Sequence, residues 1–322
     1  MRRGLLGILA LCLLALSACG AGAPPEPDYE VNGTEPRLIR PEPYERTTES
    51  VIDLDDPDRP VDADGVAHWE IPWERGTRWY HPVDLARYGL GLLESYRATG
   101  EQVYLDRAVA NAEYLLDGSV ESDGARWFPY PFDHSLNSDE EGMVLLAPWY
   151  SGMAQGQSLS LFVRLHEETG DDRWMDAADE TFETFLARPG DGPWFSHVID
   201  GHIWFEEFVA DSIETTQVVN GHMYAMFGLY DYAVATDDPH AAQLFDGGAA
   251  TMIETFDRYR VPDGISYYCA AQYCRDESWQ PDSYHRGVAN QFDSLALMTG
   301  DGRFVEMART FRSDYAASGA DG

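Results

Sequence analysis

The sequence predicts a mainly α chain, an incomplete (α/α) toroid of about four helical hairpins with short β-hairpins at the groove end. Three observations carry this. Turn dipeptides recur at Thr99-Gly100, Thr169-Gly170, Thr236-Asp237 and Thr299-Gly300, with spacings of 70, 67 and 63 residues. Apolar residues fall at helical spacing on either side of them, as around Leu159, Phe162 and Val163. Between the helix pairs lie longer segments rich in aromatics and Gly, such as 127–130 and 194–208, which a plain all-α bundle does not need. Repetition at a fixed period marks supersecondary units that stack to bury a shared core.

The elements follow in order. The first helices of the pairs are expected at Pro82–Arg97, Gly152–Glu168, Gly221–Ala235 and Gly287–Met298. Their partners are expected at Val103–Leu116, Arg173–Leu186, Pro239–Tyr259 and Arg303–Tyr315. Gly at three of the four turns suits the left-handed residue that ends a helix. In such an array each inner helix starts at the end where the long loops cluster, so a groove there collects side chains from every repeat.

Ahead of the repeat, residues 1–19 read as a lipoprotein signal peptide. Arg2-Arg3 is a positive start, Leu5 to Leu16 an apolar run too short to span a bilayer, and Leu16-Ser17-Ala18-Cys19 a bacterial lipobox. An acylated Cys19 would hold the protein at a membrane surface outside the cytoplasm, since each buried methylene of a lipid contributes about 0.8 kcal/mol. Residues 20–66, rich in Pro, Glu, Asp and Gly, read as a disordered tether, and 67–322 as the toroid domain. Asp62-Ala63-Asp64-Gly65 superficially resembles a calcium loop, but Pro60 stands where a ligand is needed, and no metal is assigned.

The formal net charge is −34, and the basic residues are all Arg. This balance excludes a nucleic-acid partner and suits work at high salt, where a Debye length of about 3 Å at 1 M screens self-repulsion. The absence of Lys excludes Schiff-base chemistry. Beyond Cys12 and Cys19 only Cys269 and Cys274 remain. Outside the cytoplasm such an isolated, closely spaced pair reads as a disulfide.

Four clusters stand at the inner-helix starts. They are Trp79-Tyr80-His81-Pro82 with Tyr88; Trp149-Tyr150 through Gln155 and Gln157; Trp204-Phe205-Glu206-Glu207-Phe208 with Asn220-Gly221-His222; and Tyr267-Tyr268 with Tyr284-His285-Arg286 and Asn290-Gln291. Each joins aromatics to amides, carboxylates or imidazole. Aromatic faces stack on sugar rings, and polar tips bond hydroxyls. A uronate-containing polysaccharide is the expected partner, with Arg78, Arg126, Arg275 or Arg286 for its carboxylates.

Five segments, in order, carry a resemblance: 80–90, 149–157, 204–208, 219–231 and Ser283-Tyr284-His285. Together, over about residues 78 to 315, the chain resembles the C-terminal domain of the D-glucuronyl C5-epimerases, which act on heparosan and heparan sulfate precursor. The resemblance implies an (α/α) toroid and cofactor-free inversion at C5 of glucuronate. It places the proton-transferring residues at Glu207 and Tyr284, and Gln155, Asn220, His222 and Tyr267 are expected to hold the sugar. Phe208 stands where the family has a tyrosine, Val288 replaces a family His, and the family Arg after Tyr267-Tyr268 is missing, with Arg275 or Arg286 as substitutes. The chain also lacks the N-terminal β-rich part of the animal enzymes. Two alternatives stay open: a uronate lyase that begins with the same proton abstraction, and a non-catalytic lipoprotein that binds acidic glycans at the cell surface.

Overall fold

A computed structural model of the chain describes residues 24–39, 51–70, 78–136, 143–190 and 192–320. The leader and Cys19 lie outside the described residues. Four helical hairpins are present: α1 (Pro82–Thr99) with α2 (Gln102–Asp117), α3 (Gly152–Thr169) with α4 (Arg173–Leu186), α5 (Val219–Thr236) with α6 (Pro239–Glu254), and α9 (Asp282–Thr299) with α10 (Gly302–Ser318). Short helices α7 (Phe256–Tyr259) and α8 (Gln272–Asp276) fall between the last two pairs. The inner helices pack in sequence, α1 on α3, α3 on α5 and α5 on α9.

The four turns are built alike. Gly100, Gly170, Asp237 and Gly300 have φ of 71°, 66°, 56° and 72° and cap the inner helices in the left-handed region. The preceding Thr folds its hydroxyl back: Thr99, Thr169, Thr236 and Thr299 donate to Ser95, Leu165, Tyr232 and Leu295 O at 2.6–2.8 Å. Each Thr oxygen also accepts from the amide two residues on, which sends the chain straight into the outer helix.

Two of the inner helices are buried on nearly every face, α3 from Gly152 to Leu165 and α5 from Val219 to Ala233 with few gaps. Only small residues let them approach. A Cβ on Gly156 would lie 2.4 Å from Ala225 Cα, and one on Gly228 2.3 Å from Gly156 O. The buried Arg164–Asp231 pair, 3.1 Å apart, ties the same two helices. So the Gly-rich block 152–157 is shaped first by helix packing.

Strands are short antiparallel pairs: β1 (Trp69–Glu70) with β2 (Arg78–Trp79), β3 (Val120–Ser122) with β4 (Ala125–Trp127), β5 (His134–Ser135) with β6 (Val144–Leu145), and β7 (Ser196–Ile199) with β8 (His202–Phe205). Asp123-Gly124 and Asp200-Gly201 turn two of these hairpins with both residues at positive φ, the geometry that matches strand twist.

Three expectations change. α9 begins at Asp282 behind Pro281, not at Gly287, so Tyr284 and His285 are helical. The outer helix of the third pair breaks at Thr255, whose hydroxyl bonds back to Thr251 O at 2.6 Å. The stretch 20–66 is not a free tether where it is described. Tyr29 is buried against Gly247, and Asp246 accepts from Gly33 N, Thr34 N and the Thr34 hydroxyl. Ile52 is buried over Gly91, its amide donating to Ser95 Oγ and its carbonyl accepting from Tyr104. Asn111 bridges Gly65 O and Ala67 N. A few well-placed apolar residues and satisfied backbone groups anchor this otherwise polar chain. Among the described residues, no helix is long and apolar enough to cross a membrane.

Candidate active site

A cavity of about 440 Å³ opens where the four inner helices begin. The start of α1 contributes His81, Asp84 and Arg87; the start of α3 Ser151 and Met153; α5 Asn220 and Tyr224; and α9 Ser283, Tyr284, Gly287 and Gln291. Loops add Tyr130, Trp149, Glu207, Phe208 and Tyr268, and β5 adds His134.

Glu207 follows β8 and is buried. Its neighbour Glu206 sets the position: Glu206 O accepts from Gly152 N at 2.7 Å and Glu206 N donates to Phe195 O at 2.8 Å. The Glu206 carboxylate is wholly engaged by His197 Nε2 (2.7 Å), Gln217 N (2.8 Å) and Thr216 N (3.1 Å). That contact pins the loop leading into α5, including Gln217 at φ 55°. Glu207 then lies on the first turn of α5, where a Cβ on Gly221 would stand 2.3 Å from Glu207 Oε2. Only glycine admits the carboxylate there.

Glu207 Oε1 accepts from the Tyr268 hydroxyl at 3.3 Å, and Oε2 has no partner among the described residues. Burial pushes this carboxyl up to about 8, against the pull of the Tyr268 hydrogen bond. Tyr268 meets Tyr284 edge to face at 4.7 Å. Burial, then the nearby Glu207 charge, raises the Tyr284 phenol, and the same causes raise Tyr268 further. Glu207 and Tyr268 are thus hydrogen-bonded, and Tyr284 packs against Tyr268 on the same cavity wall. Opposite charge is sparse. Arg87, paired with Asp84 at 2.9 Å, is the one arginine on the wall among the described residues. Burial pushes His81 down to about 4 and lowers His134, so both imidazoles are neutral donors at neutral pH. An aromatic panel closes the cavity: Trp149 stacks on Tyr130 at 3.6 Å and on His134 at 5.9 Å, with Phe208 beside both.

The family model for the D-glucuronyl C5-epimerase C-terminus matches residues 122–313. The chain belongs to this family. A D-glucuronyl C5-epimerase of Caenorhabditis elegans is 30% identical over 170 residues, 49% of this chain and 26% of that protein, so the chain spans well under half of that relative. Among solved structures the fold is similar to a D-mannose isomerase (11% identity, TM-score 0.54, 78% of this chain and 64% of that one). It is also similar to an unsaturated glucuronyl hydrolase specific for heparin (17%, 0.50, 74% and 62%) and to a GH76 α-mannanase of Bacteroides thetaiotaomicron (13%, 0.50, 74% and 58%). These likenesses concern the toroid.

In this epimerase-family chain the cavity wall holds Glu207, Tyr284 and Asn220, whose Oδ1 has no partner among the described residues. The other expected sugar contacts sit elsewhere. Gln155 is spent inside, accepting from Phe128 N and donating to Arg126 O and Thr184, and Gln157 is buried off the wall. His222 accepts from Phe205 N and bonds Gly248 O; His285 accepts from Ser266 N and bonds Phe311 O. Both are core histidines. Glu206 is a loop clamp, as described above. Tyr80 bonds Asp62 and stacks on Tyr114 at 4.1 Å; Tyr150 lines a separate hollow with Trp194 and Val209; Tyr88 lines an adjoining cavity. Tyr267 is off the wall and Tyr268 is on it. Arg286 is exposed over Tyr315, and Asn290 accepts from Arg312.

The expected cations are likewise placed outside. Arg126 pairs with Glu180 and Glu121, Arg275 bonds the carbonyls of Arg258 and Ala270, and Arg78 lines a hollow beside Tyr80. Cys269 and Cys274 are bonded, with Cα atoms 5.6 Å apart. They lie beside Tyr268, and Val218 bridges to Cys269, so this loop is tied to the start of α5.

Proposed function

We propose that this cavity catalyses cofactor-independent C5 epimerisation of D-glucuronate to L-iduronate residues in heparosan or a similar uronate polysaccharide. The observation that supports it is the buried Glu207, with its carboxyl at about 8 and one oxygen without a partner among the described residues, bonded to Tyr268 and with the exposed Tyr284 beyond it on the same cavity. Inversion needs a base on one face of the sugar and an acid on the other. Ionised Glu207 takes the C5 proton, and the Tyr284 phenol delivers one to the opposite face. The new charge on the sugar carboxylate is met by Arg87 and by the neutral donors His81 and His134. Turnover leaves Glu207 protonated and Tyr284 ionised. Tyr268, bonded to Glu207 and packed against Tyr284, passes a proton between them and resets the site. Its hydroxyl stands in for the one missing at Phe208.

A lyase would start with the same abstraction and then expel the C4 oxygen, so the product decides. The chain from residue 24, incubated with heparosan, is expected to generate iduronate signals by proton NMR. New ultraviolet absorbance from an unsaturated uronate would instead make it a lyase. A polymer bound but unchanged at C5 would support the non-catalytic reading, against which the tuned Glu207 counts.

The lipobox further supports an extracytoplasmic protein anchored through Cys19. Metabolic labelling with a fatty acid is expected to mark the full chain and not Cys19→Ala. Equal labelling of the two would remove that assignment.

A further inference from the structure

A second cavity, of about 300 Å³, adjoins the first. The two share Asp84 and Arg87 as a common wall. Its far side is built by the segment from Ile52 to Trp69, which lies ahead of the residues that the epimerase family model matches. The segment is firmly held. Ile52 sits in the notch at Gly91, Asn111 bridges Gly65 and Ala67, and Asp53, Asp56 and Asp62 each accept from an amide two residues on.

What this wall presents is a carbohydrate-binding set. Trp69 is 42% exposed at the rim, an aromatic face that folding leaves uncovered. His68 lines the cavity at 8% exposure, and its Nδ1 has no partner among the described residues. The Arg59 guanidinium lies 5.4 Å from the centre of the Tyr88 ring, and among the described residues it has no ion pair. The local acids are Asp84, already paired with Arg87, and Asp58, exposed beside Arg59. In a chain of net charge −34, the lining of this cavity sets two arginines against two aspartates and is locally neutral, which admits an anionic ligand.

We propose that this cavity is a subsite for a neighbouring uronate-containing sugar of the same polymer, with Arg59 meeting its carboxylate and Trp69 its ring face. Resting on the assignment of the first cavity to a uronate, the chain then crosses the Asp84–Arg87 ridge, and the subsite sets how long an oligosaccharide must be to bind well.

The test uses heparosan oligosaccharides, a trisaccharide and an octasaccharide, titrated calorimetrically into the chain from residue 24 carrying Glu207→Gln, so that binding is read without turnover. The octasaccharide is expected to bind at least tenfold more tightly than the trisaccharide. Arg59→Ala and Trp69→Ala are each expected to remove about tenfold of that advantage and leave trisaccharide binding unchanged. Both side chains are exposed, so circular dichroism is expected to show intact folds. In the otherwise wild-type chain the same variants raise KM for polymer and leave kcat alone. Equal affinity for both lengths, no binding of either, or no effect of the two variants overturns the subsite. The outcomes for the two cavities separate: C5 exchange without an Arg59 effect rejects only the subsite, and length-dependent binding without C5 exchange rejects only the epimerase reading.

Discussion

Glu207 carries the greatest chemical demand in this molecule. Its carboxyl is buried, held near 8, and bonded through one oxygen only. Because the unfolded chain ionises it at the ordinary carboxylate value, the folded state binds more protons between about 4.5 and about 8. Glu207 therefore lowers stability as pH rises through that window. Glu207→Gln is expected to leave the melting temperature unchanged near pH 4 and raise it near pH 9, by thermal denaturation across pH; a constant difference would contradict the buried-acid assignment. The rate of C5 exchange should rise with pH through about 8. Tyr284→Phe is expected to remove turnover, and Tyr268→Phe to lower kcat by about 10²-fold with KM little changed, both read by C5 exchange. A Tyr268→Phe enzyme at full rate would exclude its role in resetting the site.

Elements decide which of these residues face the cavity. At 3.6 residues per turn, positions three, four and seven apart share a helix face. Asn220 and Tyr224 do so on α5, and Tyr284, Gly287 and Gln291 on α9. His222 and His285 lie about 200° and 100° round from Asn220 and Tyr284, which turns them into the core. This phase was readable in the sequence once the helix starts were known. Reading α9 from Gly287 hid it, and only Gln291 of the Asn290-Gln291 pair faces the cavity. The four turns were legible because Thr-Gly and Thr-Asp have a local geometric cause. The use of Gln155 inside the protein was not, because its partners Phe128, Arg126 and Thr184 are distant in sequence. Arg87 was legible only as a helix residue, since its neighbours on the wall come from other repeats. Gly221→Ala is expected to displace Glu207 and cost most of the activity with a small loss of stability. Gly156→Ala is expected to force α3 off α5 and cost about 1–3 kcal/mol or more, measured by urea denaturation. An unchanged midpoint for Gly156→Ala would contradict the close helix contact.

For the whole molecule, the toroid was legible because its period is written in the turns, and the N-terminal segments were not. Composition alone made 20–66 look like a tether, because Pro, Asp and Glu bury little apolar surface. The anchors are single residues, Tyr29 and Ile52, each fitted to a notch that glycine leaves in a helix. Removing residues 24–39 uncovers the core at Gly247 and strands Asp246, and a shift of several degrees in melting temperature is expected; no shift would mean the segment contributes nothing. The toroid brings four helix starts to one cavity, where Glu207 is proposed to exchange the C5 proton. The most direct measurement is deuterium incorporation at C5 of heparosan in D₂O, followed by proton NMR for the wild-type chain and for Glu207→Gln. Steady loss of the C5 proton signal is expected with the wild type and none with the variant, both chains being folded. Exchange at equal rates in the two, or loss of the signal in neither, would contradict this role of Glu207.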